Sequence, residues 1–423
     1  MTAPDTRPAR RRYLILVGLR WLPTGLLIPV TVLLALSRGL SLTEIGLVFS
    51  IQGLVVLVLE LPTGGLSDAL GRRPVLILAS VVSLLALGVL YAADSVATFA
   101  VATFLTGIFR ALDSGPLEAW YVDATLAVDP NAEIEKGLSA GSAMLSVAIA
   151  VGALASGALV ALDPVETVPT LALPILVALA LGVVNLVAIV ALMREVRPAR
   201  GVGAIVDSVR SVPKVVGDGI GLLRASNVLL ALVAVELFWG FAMVAFETLF
   251  PIRLSENLGE ADQAAAIMGP VSSIAWFAAA AGAAGVVLLS DRIGVALSAA
   301  GLRIVQGATV VAMGVVAGPI GVVIAYLACY VTHGASNPMH TTLLHREVDG
   351  AHRTTVLSMN SMVAQPAGAL GAILLAALAD GTSLSTAMVV GGIVCSLAAP
   401  LYIPAWRAER ARNAALGTSL ATA

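Results

Sequence analysis

The chain has 423 residues, 59% hydrophobic and only 12% charged, with a net charge of −2. A soluble globular chain carries about 25% charged residues, so this composition, at a mean hydropathy of +0.97, excludes a water-soluble globular protein and requires lipid around most of the chain. The net charge says nothing about nucleic acid, but no basic–aromatic stripe appears and no nucleic-acid partner is expected; the two cysteines, Cys329 and Cys395, sit in apolar runs that imply no disulfide framework.

The N-terminal MTAPDTRPARRR is basic and leads into an apolar segment from Tyr13 to Leu36. That segment is too long for the apolar core of a signal peptide and continues a pattern repeated down the chain, so it reads as an uncleaved first span. Crossing a bilayer takes about 20 apolar residues. Candidate spans cover 13–37, 42–66, 73–92, 95–121, 137–161 and 168–192, then 226–250, 263–289, 296–316, 318–343, 353–378 and 384–406. The expected fold class is an all-α integral membrane protein of twelve transmembrane helices. Basic residues set its orientation. Arg7, Arg10, Arg11, Arg12, Arg72, Arg73, Lys136, Arg292, Arg346 and Arg407 fall on one side, against Arg38 and Arg253 on the other. Both termini are therefore expected in the cytoplasm, at the inner membrane of a bacterium by the arginine- and alanine-rich usage.

The resulting parts are a cytoplasmic segment 1–12, a half 13–193, a linker 194–225, a half 226–406 and a tail 407–423. The linker carries Arg194, Arg197, Arg200, Arg210, Lys214 and Arg224. It reads first as solvated chain, with a short amphipathic helix over 205–223 as the alternative.

The stretch GGLSDALGRRP, 64–74, interrupts the apolar pattern with Asp68, Arg72 and Arg73. Ions at the bilayer centre cost about 2.5–3.5 kcal/mol each, so this is a tight surface turn. Leu66-Ser67-Asp68-Ala69-Leu70-Gly71 recurs as Leu289-Ser290-Asp291-Arg292-Ile293-Gly294. Ser114-Gly115-Pro116 recurs as Ser336-Asn337-Pro338, and Leu138-Ser139 as Leu357-Ser358. Matches in one order at a nearly constant offset indicate two parallel six-helix halves. The spacing Gly64-x-Leu66-x-Asp68-x-x-Gly71-Arg72-Arg73 resembles the signature loop of major facilitator superfamily transporters, and the resemblance covers roughly 13–406. It implies two pseudo-symmetric halves, a midplane substrate site, and a gating loop of Gly64, Asp68, Gly71, Arg72 and Arg73. Asp123 would meet Arg72 or Arg73, and Asp291 marks the second copy. The fourth span has Arg110, Asp113 and Ser114 in place of the family's Arg-x-x-Gln-Gly, and the fifth lacks the Gly-Pro pair of drug antiporters.

An ionisable residue within a span is a functional candidate. Arg110 and Asp113 share a helix face and can neutralise each other, Pro116 is expected to kink the helix, and Glu118 reads as a buried acid without a local partner. Glu60 is expected to face the bundle interior, with Arg20 as a possible partner. In the seventh span Glu236, Trp239, Met243 and Glu247 fall on one face, Glu247 at the outer rim. His333, Asn337 and His340 form a stripe in the tenth span, and Gln365 precedes Pro366 in the eleventh. The histidines lack the spacing of a metal site, so no metal is expected.

Proton-coupling candidates are thus Glu60, Asp113, Glu118 and Glu236. Cavity candidates are Arg20, Arg110, Trp239, His333, Asn337, His340 and Gln365. Without a nucleotide-binding motif, the expectation is a non-enzymatic, monomeric secondary transporter with no cofactor, handling a small-molecule substrate and protons in a lipid bilayer. Proton-coupled export of an organic compound comes first. Proton-coupled nutrient uptake is the alternative, and a non-transporting membrane sensor or assembly protein is a further one.

Overall fold

Apolar length sets the helices, and glycine, proline and capping residues end them. The structure, a computed structural model, describes residues 6–194, 202–348 and 353–421. In chain order the α-helices are α1 (Arg7–Leu27), α2 (Thr31–Ser37), α3 (Leu42–Leu70), α4 (Arg72–Ala92), α5 (Val96–Asp113), α6 (Pro116–Leu126), α7 (Ile134–Leu162) and α8 (Leu173–Leu192). They continue with α9 (Val202–Ala225), α10 (Asn227–Glu247), α11 (Leu249–Leu258), α12 (Ala261–Ile293), α13 (Val295–Val315), α14 (Pro319–Arg346), α15 (Arg353–Gly381), α16 (Leu384–Ser396) and α17 (Ile403–Ala421). No strand occurs among the described residues. Among the described residues, twelve helices or helix pairs are long and apolar enough to cross a membrane, each overlapping one of the spans expected from hydropathy.

Local chemistry explains the boundaries. Ser41 accepts a hydrogen bond from the Glu44 amide while Glu44 accepts from the Ser41 amide, closing the first turn of α3. Ser226 and Ser383 cap α10 and α16 in the simpler way. One residue, Gly71 at φ 94, joins α3 to α4, and Gly294 at φ 87 joins α12 to α13. Only glycine visits that backbone region without strain.

The linker is helical. The described part, α9, is a 24-residue helix; residues 195–201 lie outside the described set.

The chain divides into two compact units, Met1–Val212 with Leu258–Ser273, and Pro213–Asn257 with Ile274–Ala423. Within the first, α1 packs on α7 and α8, α4 on α5 and α8, and α3 on α5. Within the second, α10 packs on α15, and α13 packs on α14 and α16. The first-with-fifth, third-with-fourth and third-with-sixth span pairings therefore recur in both halves, as the sequence repeat requires. Large apolar side chains stay on the surface, among them Val58 at 69% and Leu162 at 77% exposure. A soluble monomer does not expose that much apolar surface; a multi-pass membrane protein does.

The repeat breaks at one place. Gly115 takes φ 90, Pro116 has no amide hydrogen to donate, and the fourth span separates into α5 and α6. The expected kink at Pro116 is a full interruption at Ser114 and Gly115. The matching Ser336-Asn337-Pro338 lies inside the continuous α14. Gly115→Ala should cost about 1–2 kcal/mol through left-handed backbone strain, read as a lowered thermal midpoint in detergent. Gly115→Asn should cost less, because asparagine tolerates that region; equal losses would rule out backbone strain as the cause.

Candidate functional site: two polar clusters within the spans

The interruption of the fourth span decides what Asp113 can do. As the last residue of α5, its carboxylate meets the negative end of the helix dipole. Arg20 of α1 compensates, with Nε donating to Asp113 Oδ2 at 2.5 Å and Nη1 donating to Thr24 Oγ1 at 3.1 Å. The Arg20 guanidinium also lies over the rings of Trp21 and Phe109, at 4.6 and 4.4 Å from their centroids. Arg20 thus pairs with Asp113 rather than with Glu60. Arg110, in the last turn of α5, is accessible and has Arg20, Asp113 and Glu60 as electrostatic neighbours. Arg110 and Asp113 accordingly belong to a four-residue cluster, not to an isolated pair.

Glu118 corrects the expectation of burial. It is exposed, in the first turn of α6. A carboxylate there faces the positive end of a helix dipole, so its position is satisfied electrostatically without a basic partner.

At the end of α3, Arg72 Nε donates to Asp123 Oδ2 at 2.9 Å, and Arg73 Nη2 donates to the Val190 carbonyl at 2.7 Å. Arg72 is therefore the partner of Asp123. Gly64 and Asp68 belong to the last turns of α3; the Asp68 side chain lies outside what the structure describes. The corresponding turn in the second unit is held differently. Asp291 is exposed, while Glu409 of α17 accepts from the Val295 and Ala296 amides at 3.2 and 3.0 Å and from Arg346 Nη1 at 2.9 Å. Sequence reasoning missed Glu409, which no local spacing ties to Val295.

The second unit holds the more enclosed cluster. Glu236 of α10 is 6% exposed and its Oε1 lies 3.2 Å from His340 Nε2 of α14. The same His340 nitrogen is 3.1 Å from Asn360 Oδ1, and Nδ1 is 3.0 Å from Tyr402 Oη. Both neighbours of Nε2 are acceptors, so Nε2 carries the hydrogen and the Tyr402 hydroxyl donates to Nδ1. Arg303 of α13, at 1% exposure, has Tyr402 and Glu236 as electrostatic neighbours, and its Nη1 donates to Gln306 Oε1 at 2.9 Å. The result is a polar tract in which the Tyr402 hydroxyl donates to His340 and His340 Nε2 donates to Asn360, with Glu236 in ion-pair reach of the same nitrogen and Arg303 beside Tyr402. Gln306 continues to His333 at 3.5 Å, and His333 stacks on Trp239 with centroids 5.8 Å apart.

Four residues singled out by sequence, Glu236, Trp239, His333 and His340, thus meet in one tract. Asn337 does not join them: it is exposed, off the stripe proposed for the tenth span. Gln365 is half-buried and makes no side-chain hydrogen bond among the described residues. Tyr402 and Gln306 were missed, although an arginine inside an apolar run, Arg303, was the available signal that polar partners had to surround it. No group of three or more histidine, cysteine or acidic residues could hold a metal ion among the described residues.

Solved structures of transporters share this fold. The nucleoside transporter NupG aligns at TM-score 0.75 with 14% identity, over 93% of this chain and 98% of its own. A bacterial homologue of the human lysosomal transporter Spinster aligns at TM-score 0.75 with 14% identity, over 96% and 98%. A POT family transporter in complex with 5-aminolevulinic acid aligns at TM-score 0.68 with 14% identity, over 93% and 94%. No curated protein matches the sequence. The family model described as Major Facilitator Superfamily matches residues 13–372, and with the twelve helices and the repeated packing in view, the chain belongs to that superfamily.

Proposed function

We propose that the protein is a proton-coupled secondary transporter that works by alternating access and exports a small organic compound across the inner membrane, with both termini cytoplasmic. The observation that carries this reading is the Glu236–His340 contact of 3.2 Å. Two groups able to bind a proton touch where two spans meet, in a polar tract that also holds Tyr402, Asn360 and Arg303. Adding a proton to Glu236 removes the negative charge beside His340 and Arg303 and adds a donor there, so proton binding changes the contacts among α10, α13 and α14. That is the differential interaction a coupling ion needs if it is to shift a conformational equilibrium. Similar solved proteins include a nucleoside transporter and a transporter bound to 5-aminolevulinic acid, which supports a small organic solute as substrate. The Arg20–Asp113 cluster and the Arg72–Asp123 pair serve as the structural and gating charges of the first half, and the protein acts as a monomer.

The test uses inside-out vesicles energised by respiration, with an internal pH dye and a panel of organic compounds. A transported compound should dissipate the pH gradient only when the intact protein is present, and Glu236→Gln should reduce that response at least tenfold. A Glu236→Gln response equal to that of the unaltered protein would remove Glu236 from coupling. If no compound moves protons while whole cells accumulate one, uptake by symport replaces export.

A further inference from the structure

Acids within the described spans generally face a cation: Asp113 faces Arg20, Glu60 lies near Arg110, and Glu236 lies near Arg303. Glu247 does not. It closes α10, in a span whose helices continue about three turns further to Leu258. The residue is exposed, and its only polar contact among the described residues is the Tyr330 hydroxyl, which donates to Oε1 at 2.6 Å. Oε2 is left open.

The surroundings of this carboxylate are aromatic. The Tyr330 ring lies 6.1 Å from Phe246 and 6.5 Å from Trp276 by centroids, both edge-on, and 6.1 Å from His333. His333 continues the tract to Trp239 at 5.8 Å. Phe246 and Tyr330 are buried, whereas Trp239, Trp276 and His333 are half-buried and leave ring surface accessible. Aromatic faces carry negative quadrupole density and attract organic cations. An uncompensated carboxylate within a span is costly until a counter-charge arrives. The same carboxylate and ring faces repel an anion. A bare metal ion finds a single carboxylate where it needs several oxygen ligands.

We infer that Glu247, with Tyr330, Trp276, Phe246 and Trp239, forms a binding site for a monovalent organic cation, a protonated or quaternary amine with an apolar body. The inference deepens the transport reading and rests on it for the bound cation being the transported compound; binding itself is tested separately. Glu247 supplies the counter-charge, Tyr330 fixes one carboxylate oxygen, and the tryptophans cover the apolar body.

Purified full-length protein in detergent is titrated with tetraphenylphosphonium while tryptophan fluorescence is followed. Tetraphenylborate, of the same shape and opposite charge, is titrated alongside. The phosphonium should quench saturably and the borate should not. Glu247→Gln should weaken phosphonium binding at least tenfold, Glu247→Asp should weaken it less, and Glu256→Gln, at an exposed acid paired with Arg253, should leave it unchanged. Thermal melts establish that each variant is folded. Equal binding of both ions, or unaltered binding by folded Glu247→Gln, overturns the inference. Phosphonium binding without proton movement in vesicles would sink the transport reading and leave the site standing; proton movement without phosphonium binding would do the reverse.

Discussion

Arg303→Met is expected to destabilise the second unit by about 3–5 kcal/mol, the usual cost of removing one partner from a buried charged network. Arg303 is 1% exposed, so its charge is countered only by what surrounds it. Those partners are Glu236, the Tyr402 hydroxyl, Gln306 and the face of Trp239, 5.8 Å from the guanidinium. Methionine keeps much of the apolar volume while removing the charge, which leaves Glu236 with His340 and Asn360 alone. The double variant Arg303→Met, Glu236→Gln removes both charges and should recover part of the loss, because residues in one network are not additive. Thermal midpoints of the four proteins in detergent provide the cycle. If Arg303→Met melts with the unaltered protein, or the second substitution adds its full cost to the first, Arg303 is not the counter-charge of Glu236.

Gly152→Ala is the second large effect expected, and it adds a single methyl group. A Cβ on Gly152 of α7 would stand 2.4 Å from the Leu22 carbonyl oxygen and 2.9 Å from Gly25 Cα, both backbone atoms of α1. Gly25 meets α7 in the same way, with its Cβ position 2.3 Å from the Ile149 oxygen. Backbone cannot rotate aside as a side chain can, so α1 and α7 must separate. Small residues at crossings are what allow membrane helices this approach. The cost should reach or exceed about 3 kcal/mol, the upper end of ordinary overpacking, read as lost monodisperse protein on gel filtration. Gly88→Ala is the control. Its Cβ meets nothing within 4 Å, so helix propensity should make it neutral or stabilising by up to about 1 kcal/mol. Similar yields for the two variants would remove helix contact as the explanation.

Much of the architecture was legible from sequence because it rests on local patterns. Apolar runs long enough to span are a property of consecutive residues, and Gly71 and Gly294 mark the turns of a repeat visible by eye. The candidate site was legible only in part. Helical spacing tells which residues of one helix share a face, as it did for Glu236 and Trp239, or His333 and His340. It carries no information about which neighbouring helix that face meets. Arg20 could therefore be given Glu60 as a partner when Asp113 is the one within 2.5 Å. Glu118 was read as buried because a proline inside an apolar run suggested a kinked, continuous helix; with Gly115 the chain breaks instead, and Glu118 becomes a first-turn residue. Tyr402 and Glu409 carry no local signal. Each acts across more than sixty residues, Tyr402 on His340 and Glu409 on Arg346.

The two turn clamps also differ in when they can form. Arg72 and Asp123 are 51 residues apart, whereas Val295 waits for Glu409 across 114. At about 5–20 residues per second of synthesis, the first clamp can close within seconds of the emergence of α4. The second needs roughly twice that interval, during which α13 through α16 must enter the bilayer with the α13 amides uncapped. Closure of the Glu409 clamp is thus a late event of synthesis, as is the Arg73–Val190 bond, which spans 117 residues at the first turn.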